Sequence, residues 1–397
     1  MEKTNRRTFL RTVTTGGASL TAGLTIMTHS TRNVHAQAAK GQNRIVYRTL
    51  GSTGFKVSEI GMGCMNMRDS ELVRAAIDSG INYIDTAHAY MNGQNEETVG
   101  QVMKTYRDKV FLTTKVGLRT SITEVPRQME LSLKRLQTDH VDLLLLHHGG
   151  DTVDMVRNED NMKVLDAMRK KGYTRFVGYS THTGDTEVYD NTIKTGFWEA
   201  VLCCYNYQSP PGLTPSIEKL RKSGIAVIAM KNLLNFATRP RTPLEDIRKD
   251  KSGSVTYTQA LIKWVLSNQY VDVTIPGITA FEQLTENMAI MGTTMGYDDH
   301  RILKRYSEGM KRNCCLGLSG CTGCEGQCPR GVRVSELNRC LGYAYDYGDM
   351  RLAWENYREL PRSSRVDVCK DCSECQVKCV NGQNLTENIS RAKELFG

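Results

Sequence analysis

Several things are scarce in this chain of 397 residues, and each scarcity closes a door. It has no dense run or stripe of Lys and Arg. The formal net charge is +9, but residues 1–38 hold Lys3, Arg6, Arg7, Arg11 and Arg32 against Glu2, leaving about +5 spread along the remainder. That distribution argues against nucleic-acid binding, which needs a clustered basic face. No apolar stretch is long and clean enough for a membrane span. The best candidate, 13–27, is short and interrupted by Thr and Gly. A Gly-rich dinucleotide turn is also missing. Gly61-Met62-Gly63 is only a fragment of one, which weighs against an open doubly wound sheet. Aromatics make up 7% of residues, and few fall in loops.

The first 38 residues read as an export signal. Asn5-Arg6-Arg7-Thr8-Phe9-Leu10-Arg11 resembles the twin-arginine motif, a weakly apolar segment follows, and Ala36-Gln37-Ala38 is a small-x-small cleavage site. The resemblance implies delivery outside the cytoplasm, to the periplasm or its equivalent, of a protein already folded around its cofactor.

Beyond a polar spacer, 45–57 reads as a β-hairpin, with Gly51 and Gly54 flanking a Ser-Thr tip. Strand and helix patterns then alternate. Strands are expected at 59–63, 82–86, 110–115, 142–147, 175–180, 200–205, 226–230 and 271–275. Helices are expected at 70–79, 96–106, 123–136, 162–171, 185–196, 216–223, 256–267 and 281–291. Eight strand–helix pairs in about 240 residues match an α/β fold of the (β/α)8 TIM-barrel type, over 44–297. In such barrels chemistry sits at the C-terminal ends of the strands.

Four polar residues fall there: Asp85 and Tyr90 after the second strand, Lys115 after the third and His147 after the fourth. A phenol is a weak acid, with a pKa of about 10. A neighbouring ammonium stabilises its phenolate, and a carboxylate keeps that ammonium charged and in place. An imidazole can orient a carbonyl. Together they suit proton transfer to a carbonyl oxygen as hydride reaches its carbon. His88 and His148 read as rim or pocket residues, and Cys64, Cys203 and Cys204 as packing residues.

Tyr47-Arg48-Thr49-Leu50-Gly51, Asp85-Thr86-Ala87 with Tyr90, Thr114-Lys115, and Val141-Asp142-Leu143 through Leu146-His147 carry a resemblance to the aldo/keto reductases. It runs over about 250 residues, from the hairpin to Asn287. The resemblance implies a TIM barrel, a nicotinamide cofactor, Tyr90 as general acid/base tuned by Lys115 and Asp85, and His147 orienting the substrate. It also assigns cofactor contacts to Ser180 and Thr181 after the fifth strand, to the phosphate turn ending at Gly277, and to Glu286 and Asn287 on the adenine side. Lys231, after the seventh strand, is a candidate phosphate contact. Thr181 stands where many members have Asn, and Leu202 where they have Gln. Gly277 and Gln283 occupy places normally basic in members that grip a 2′-phosphate, so NAD and NADP are both open.

The barrel rhythm stops near 297. A basic helix at 300–312 leads into a tail, 298–397, in which ten of the thirteen cysteines fall between Cys314 and Cys379. Cys369-x2-Cys372-x2-Cys375-x3-Cys379 has the spacing of a bacterial [4Fe–4S] run. Cys321-x2-Cys324-x3-Cys328-Pro329 supplies three of the four positions of a second. The seven motif cysteines plus one of Cys314, Cys315 or Cys340 make eight, enough for two clusters; Cys315 is the choice taken forward. Crossed ligation, as in two-cluster ferredoxins, would group Cys321, Cys324 and Cys379 with the variable cysteine, and Cys369, Cys372 and Cys375 with Cys328. Zinc sites and disulfides are the rival uses of these cysteines. A subgroup of aldo/keto reductase-like proteins carries such a ferredoxin-type tail, and the chain resembles it.

Two functions compete. The first is an exported oxidoreductase that interconverts a small carbonyl compound and its alcohol with tightly bound nicotinamide, its clusters exchanging electrons with a redox partner protein. The second is an iron–sulfur electron carrier whose barrel is a docking scaffold without nicotinamide. The loops expected to shape the pocket, 149–159, 208–213 and 232–254, hold few aromatics beyond Tyr207 and Phe236. Sugars and smaller carbonyls are equally compatible with them.

Overall fold

The computed structural model describes residues 45–117, 120–233, 236–237, 253–310, 314–315, 317, 321, 323–369, 372 and 375–397. The twin-arginine segment and most of the 232–254 loop lie outside the described residues.

A hairpin opens the fold, β1 (Tyr47–Thr49) pairing antiparallel with β2 (Lys56–Ser58). It plugs the N-terminal end of the barrel: Leu50 and Val57 pack with Phe111, Leu143, Ala226 and Val273 inside the strands. Gly51 makes the turn possible twice over. Its φ is +50°, and a Cβ there would sit 2.5 Å from the Ala226 nitrogen.

The barrel strands are β3 (Met62–Gly63), β4 (Tyr83–Asp85), β5 (Phe111–Val116), β6 (Val141–Leu146), β7 (Thr174–Thr181), β8 (Ala200–Cys204), β9 (Ala226–Met230) and, after the two-residue β10 (Phe236–Ala237), β11 (Val273–Thr274). They pair in sequence order, all parallel, in one eight-stranded sheet. Parallel bridges Ile60–Thr274 and Gly63–Gly277 join its edges, so the sheet curls closed. β5 and β6 are buried at every position, as strands covered on both faces must be.

The covering helices are α1 (Ser70–Asp78), α2 (Gln94–Tyr106), α3 (Val125–Leu136), α4 (Val153–Arg157), α5 (Glu159–Lys170), α6 (Thr186–Thr195), α7 (Leu213–Lys222), α8 (Tyr257–Ser267) and α9 (Phe281–Met288). The expected helices form, with shifted ends set by local caps. Asp185 accepts from the Glu187 N–H to start α6, and Gly196 ends it at φ +62°. Thr256 and Gln259 form a reciprocal capping box on α8. The short α4 is additional: Thr152 caps it, and only Val156 is buried, too little apolar pattern to show in sequence.

The tail begins with α10 (Tyr297–Met310), three residues earlier than expected because Asp298 and Asp299 supply first-turn carboxylates. It packs on α8 through Ala260, Leu261, Ile302, Leu303 and Tyr306. β12 (Cys314–Cys315) pairs with β10. Helices α11 (Val334–Tyr345), α12 (Met350–Glu359) and α13 (Leu385–Phe396) share a second core that includes Leu337, Leu341, Tyr357, Ile389 and Phe396. Met65 of the barrel packs against this core, so the tail lies over the catalytic rim.

Candidate active site

Strand β5 carries Lys115 into the rim beside the end of β4. Its ammonium donates to Asp85 Oδ1 at 2.5 Å, to the Thr86 carbonyl at 2.7 Å and to the Tyr90 hydroxyl at 3.2 Å. Lys115 and Asp85 are 1% and 2% exposed, so the pair is out of water. Burial pushes the Asp85 carboxyl up and works to lower Lys115. At Lys115, Asp85 and Tyr90 overcome burial and hold the ammonium above the usual lysine range. The ring of His147 stands 5.8 Å from that of Tyr90, edge to face. The four sequence-predicted residues therefore form one constellation, in which Tyr90, Lys115 and His147 line a common cavity and Asp85 supports Lys115 from behind.

One expectation is corrected. Lys115 does pull the Tyr90 phenol down, and Lys231 helps, but burial outweighs both and holds it above the ordinary tyrosine range. Tyr90 is thus a neutral O–H at physiological pH, ready to donate rather than to accept.

The cavity has two walls. The barrel supplies Met65, Met91, His148, Ser180, His182, Met230 and Lys231 in addition to Tyr90, Lys115 and His147. The tail supplies Arg339, Tyr343, Asp349, Arg351, Leu352 and Asn356. Sequence reasoning missed the whole tail wall and also His182, although the latter directly follows Thr181 at a strand end. His148 lines the cavity as expected. His88 does not: it sits behind the rim, 3.0 Å from Ser132 Oγ, where burial, Arg135 and Arg127 push its imidazole down to about 4. His148 Nδ1 is 2.7 Å from Asp151, and its ring lies 4.5 Å from that of His182.

Backbone strain marks the rim. Five described residues other than glycine have positive φ. Gln137 is a helix C-cap; Met91, Asn92, His148 and Lys231 follow Tyr90, His147 and Met230 at the ends of β-strand connections. Left-handed backbone costs of order 1 kcal/mol or more and collects at functional sites.

The expected cofactor residues divide. Ser180 Oγ faces the cavity and accepts from the His148 N–H at 3.0 Å, and Lys231 donates to the Tyr343 hydroxyl at 2.9 Å. Burial works to lower Lys231, but Tyr343 and Tyr347 outweigh it and hold the ammonium above the usual range. Thr181 is not in the cavity; its hydroxyl donates to the Gly150 carbonyl at 2.8 Å. Gly277, Glu286 and Asn287 do not line the cavity either. Nothing comes within 4 Å of a Cβ at Gly277, leaving room for a large group. Glu286 accepts from the Thr256 hydroxyl. Asn287 is 2% exposed, and its Oδ1 has no partner among the described residues.

The thirteen cysteines form no disulfide. Nine of the ten tail cysteines line two separate cavities. One is bounded by Cys328, Cys369, Cys372 and Cys375 with Lys393 nearby; the other by Cys314, Cys315, Cys321, Cys324 and Cys379 with Ser335 and Asn338. Among the described residues no three His, Cys, Asp or Glu converge as a single ion would need. Backbone N–H groups of Gly317 and Gly323 point at Cys315 Sγ and Cys321 Sγ, each at 3.4 Å. Cys314 packs with Tyr306 and Ile302, whereas Cys315 packs with the tail core, as successive residues of a strand must face opposite ways. Cys340 is buried in that core and lines neither cavity.

The aldo/keto reductase family profile matches residues 59–308, well over half of the chain. The chain belongs to the aldo/keto reductase family. It is an oxidoreductase of that family, similar to the oxidoreductase YqkF of Bacillus subtilis (25% identity over 278 residues, 61% of this chain and 89% of that protein). It is also similar to L-galactose dehydrogenase of Arabidopsis thaliana (25% over 281 residues, 62% and 88%). Among solved structures, an aldo/keto reductase from Klebsiella pneumoniae in complex with NADPH shares 27% identity, with a TM-score of 0.55 over 66% of this chain and 95% of that one. Residues 309–397, including the tail wall of the cavity, fall beyond the family match.

Proposed function

We propose that this chain interconverts a small carbonyl compound and its alcohol, with Tyr90 as the proton donor and acceptor. The observation that carries the reading is Lys115 bridging Asp85 and Tyr90 in a cavity shared with His147. The substrate oxygen sits between the Tyr90 hydroxyl and the His147 imidazole. His147 orients it, and Tyr90, kept neutral by burial, gives up its proton as negative charge develops on that oxygen. The charged Lys115 then stabilises the phenolate left behind, and Asp85 keeps Lys115 charged. In the alcohol-to-carbonyl direction the same phenolate takes the proton back. The tail wall limits water at the reacting oxygen.

The residues present fit a nicotinamide cofactor. Ser180 offers a hydroxyl at the cavity, Lys231 a cation, Gly277 open space, and Asn287 an unpartnered buried oxygen. When bound, the nicotinamide supplies or accepts hydride. The Klebsiella pneumoniae relative is a complex with NADPH; for this chain the choice between NAD and NADP stays open, since Gly277 and Gln283 offer no cation.

The cysteine cavities fit two [4Fe–4S] clusters. Their linings match the crossed grouping, four thiols each, once Cys315 is taken over Cys314. A cubane spreads its four thiolates over four irons, so they need not converge as ligands of one ion do. Such clusters pass single electrons to or from a redox partner protein. The export signal adds that the protein works outside the cytoplasm, with its cofactors loaded before export.

Anaerobic purification followed by denaturation tests the reading: released NAD or NADP supports the reductase. Full iron loading without nucleotide would replace it with the electron-carrier alternative.

A further inference from the structure

The tail wall brings a second feature into the catalytic cavity, separate from the tetrad. Tyr343, on α11, has its hydroxyl between two cations. The Lys231 ammonium donates to it at 2.9 Å, and Arg339 Nη1 lies 3.4 Å away. Lys231 has no carboxylate partner among the described residues, and it is held in left-handed backbone. Arg339 is 5% exposed. Its guanidinium is fixed from the tail side by Glu336 at 2.7 Å and Asn356 at 2.5 Å, yet its buried Nε has no partner. His182 lines the same cavity, and its buried Nδ1 has none either.

Glu336 already balances the Arg339 charge, so Lys231 is the cation of the two with no counter-ion among the described residues, in a site poor in water. A buried donor left without an acceptor costs further. The three carboxylates that line the cavity do not relieve this: Asp349 caps α12 through the Leu352 N–H, Glu355 pairs with Arg351 at 2.7 Å, and Glu359 is also engaged. An oxyanion beside Lys231 would supply its missing counter-ion, and one reaching Arg339 would accept from the Nε N–H.

We infer that Lys231 and Arg339 form a binding site for a carboxylate on the substrate, so that the natural substrate is an oxo acid or its hydroxy acid. The inference rests on the reading of this cavity as the reductase site. The reacting oxygen lies at Tyr90 and His147, and the acid group is held on the tail side. A phosphate of the cofactor has the same chemistry. Arg339, however, lies beyond the family match, and the Klebsiella pneumoniae reductase complexed with NADPH aligns over 95% of its length with only 66% of this chain. A tail-borne arginine suits a ligand peculiar to this chain better than a cofactor shared by the family.

The test compares pyruvate with hydroxyacetone, its uncharged counterpart, by ligand-observed NMR titration of the intact full-length protein. Pyruvate should bind at least tenfold more tightly. The ratio should fall about tenfold in Lys231→Met and in Arg339→Gln, and Arg339→Lys should recover part of it. Should Arg339→Gln fail to fold, judged by circular dichroism, Lys231→Met decides. Equal binding of the two probes by the unaltered protein, or a ratio that survives both substitutions, overturns the inference. NADH and NADPH are titrated in the same variants. A tenfold loss of nucleotide affinity with an unmoved probe ratio assigns the site to cofactor phosphate and likewise overturns it. Because the ratio is read without turnover, an inactive protein that keeps its carboxylate preference would sink the reductase reading alone.

Discussion

Asp85 and Lys115 are the most deeply buried ion pair in the catalytic rim, and removing either charge should give opposite responses to pH. In Asp85→Asn the ammonium keeps the Thr86 carbonyl and the Tyr90 hydroxyl but loses its counter-ion. Burial, already the largest influence on Lys115, then acts without the carboxylate that overcame it, and the folded-state pKa falls below the unfolded one. Once it falls below the working pH, the unfolded chain binds one more proton than the native chain. Stability therefore rises with pH, by up to about 1.4 kcal/mol per unit. In Lys115→Met the stranded carboxyl is raised by burial and stays protonated in the native state. The native chain now binds the extra proton, so stability falls as pH rises. Leaving one member of a buried pair costs about 3–5 kcal/mol. The double variant, with no charge to strand, should recover most of that loss and show little slope. Urea unfolding between pH 5.5 and 8.5, followed by tryptophan fluorescence and far-ultraviolet dichroism, measures all four proteins. Slopes of the same sign in the two single variants, or a double variant no more stable than either, would refute the assignment of a charged, buried pair.

Other outcomes follow from single sites. Tyr90→Phe removes the proton donor and should lower carbonyl reduction by at least about 100-fold while leaving iron content unchanged, as turnover and iron assays would show. Cys315→Ala should halve iron content, and Cys314→Ala should not, because the two side chains face opposite sides of β12; chemical iron determination separates them. His88 is held neutral, its pKa near 4. Native protein therefore binds fewer protons than unfolded protein between pH 6.5 and 4, and stability is lost as pH falls through that window. His88→Gln should flatten this acid limb of a stability–pH curve. Gln137, exposed at the C-cap of α3, has φ +54°. Gln137→Gly should raise stability by about 0.5 kcal/mol in thermal melts.

The barrel and its tetrad were legible because their signals are local. Strand runs ending in Asp85, Lys115 and His147 place those residues on one rim whatever the details of packing. The grouping of the cysteines was not legible from spacing alone: a run of short spacings keeps its own members together, and which distant cysteine joins them depends on how the tail folds. The tail wall was not legible. Arg339 and Tyr343 lie on a helix whose own periodicity says only that one face is buried. That the other meets Lys231, more than a hundred residues earlier, depends on how the tail docks. The state of Tyr90 also escaped, since proximity to a lysine is readable in sequence and the depth of burial that outweighs it is not.

Helix α11 carries Ser335 and Asn338 on the side of one cysteine cavity and Arg339 and Tyr343 on the side of the catalytic one. Neighbouring residues 338 and 339, about 100° apart around the helix axis, thus line different compartments. The tail is therefore not an appendage that can be trimmed or exchanged while the barrel is kept. Cutting the chain at the end of the family match would remove four cysteines of one compartment and all five of the other, and would also unroof the reacting oxygen. A substitution that shifts α11 therefore reaches both compartments together, although they share no lining residue.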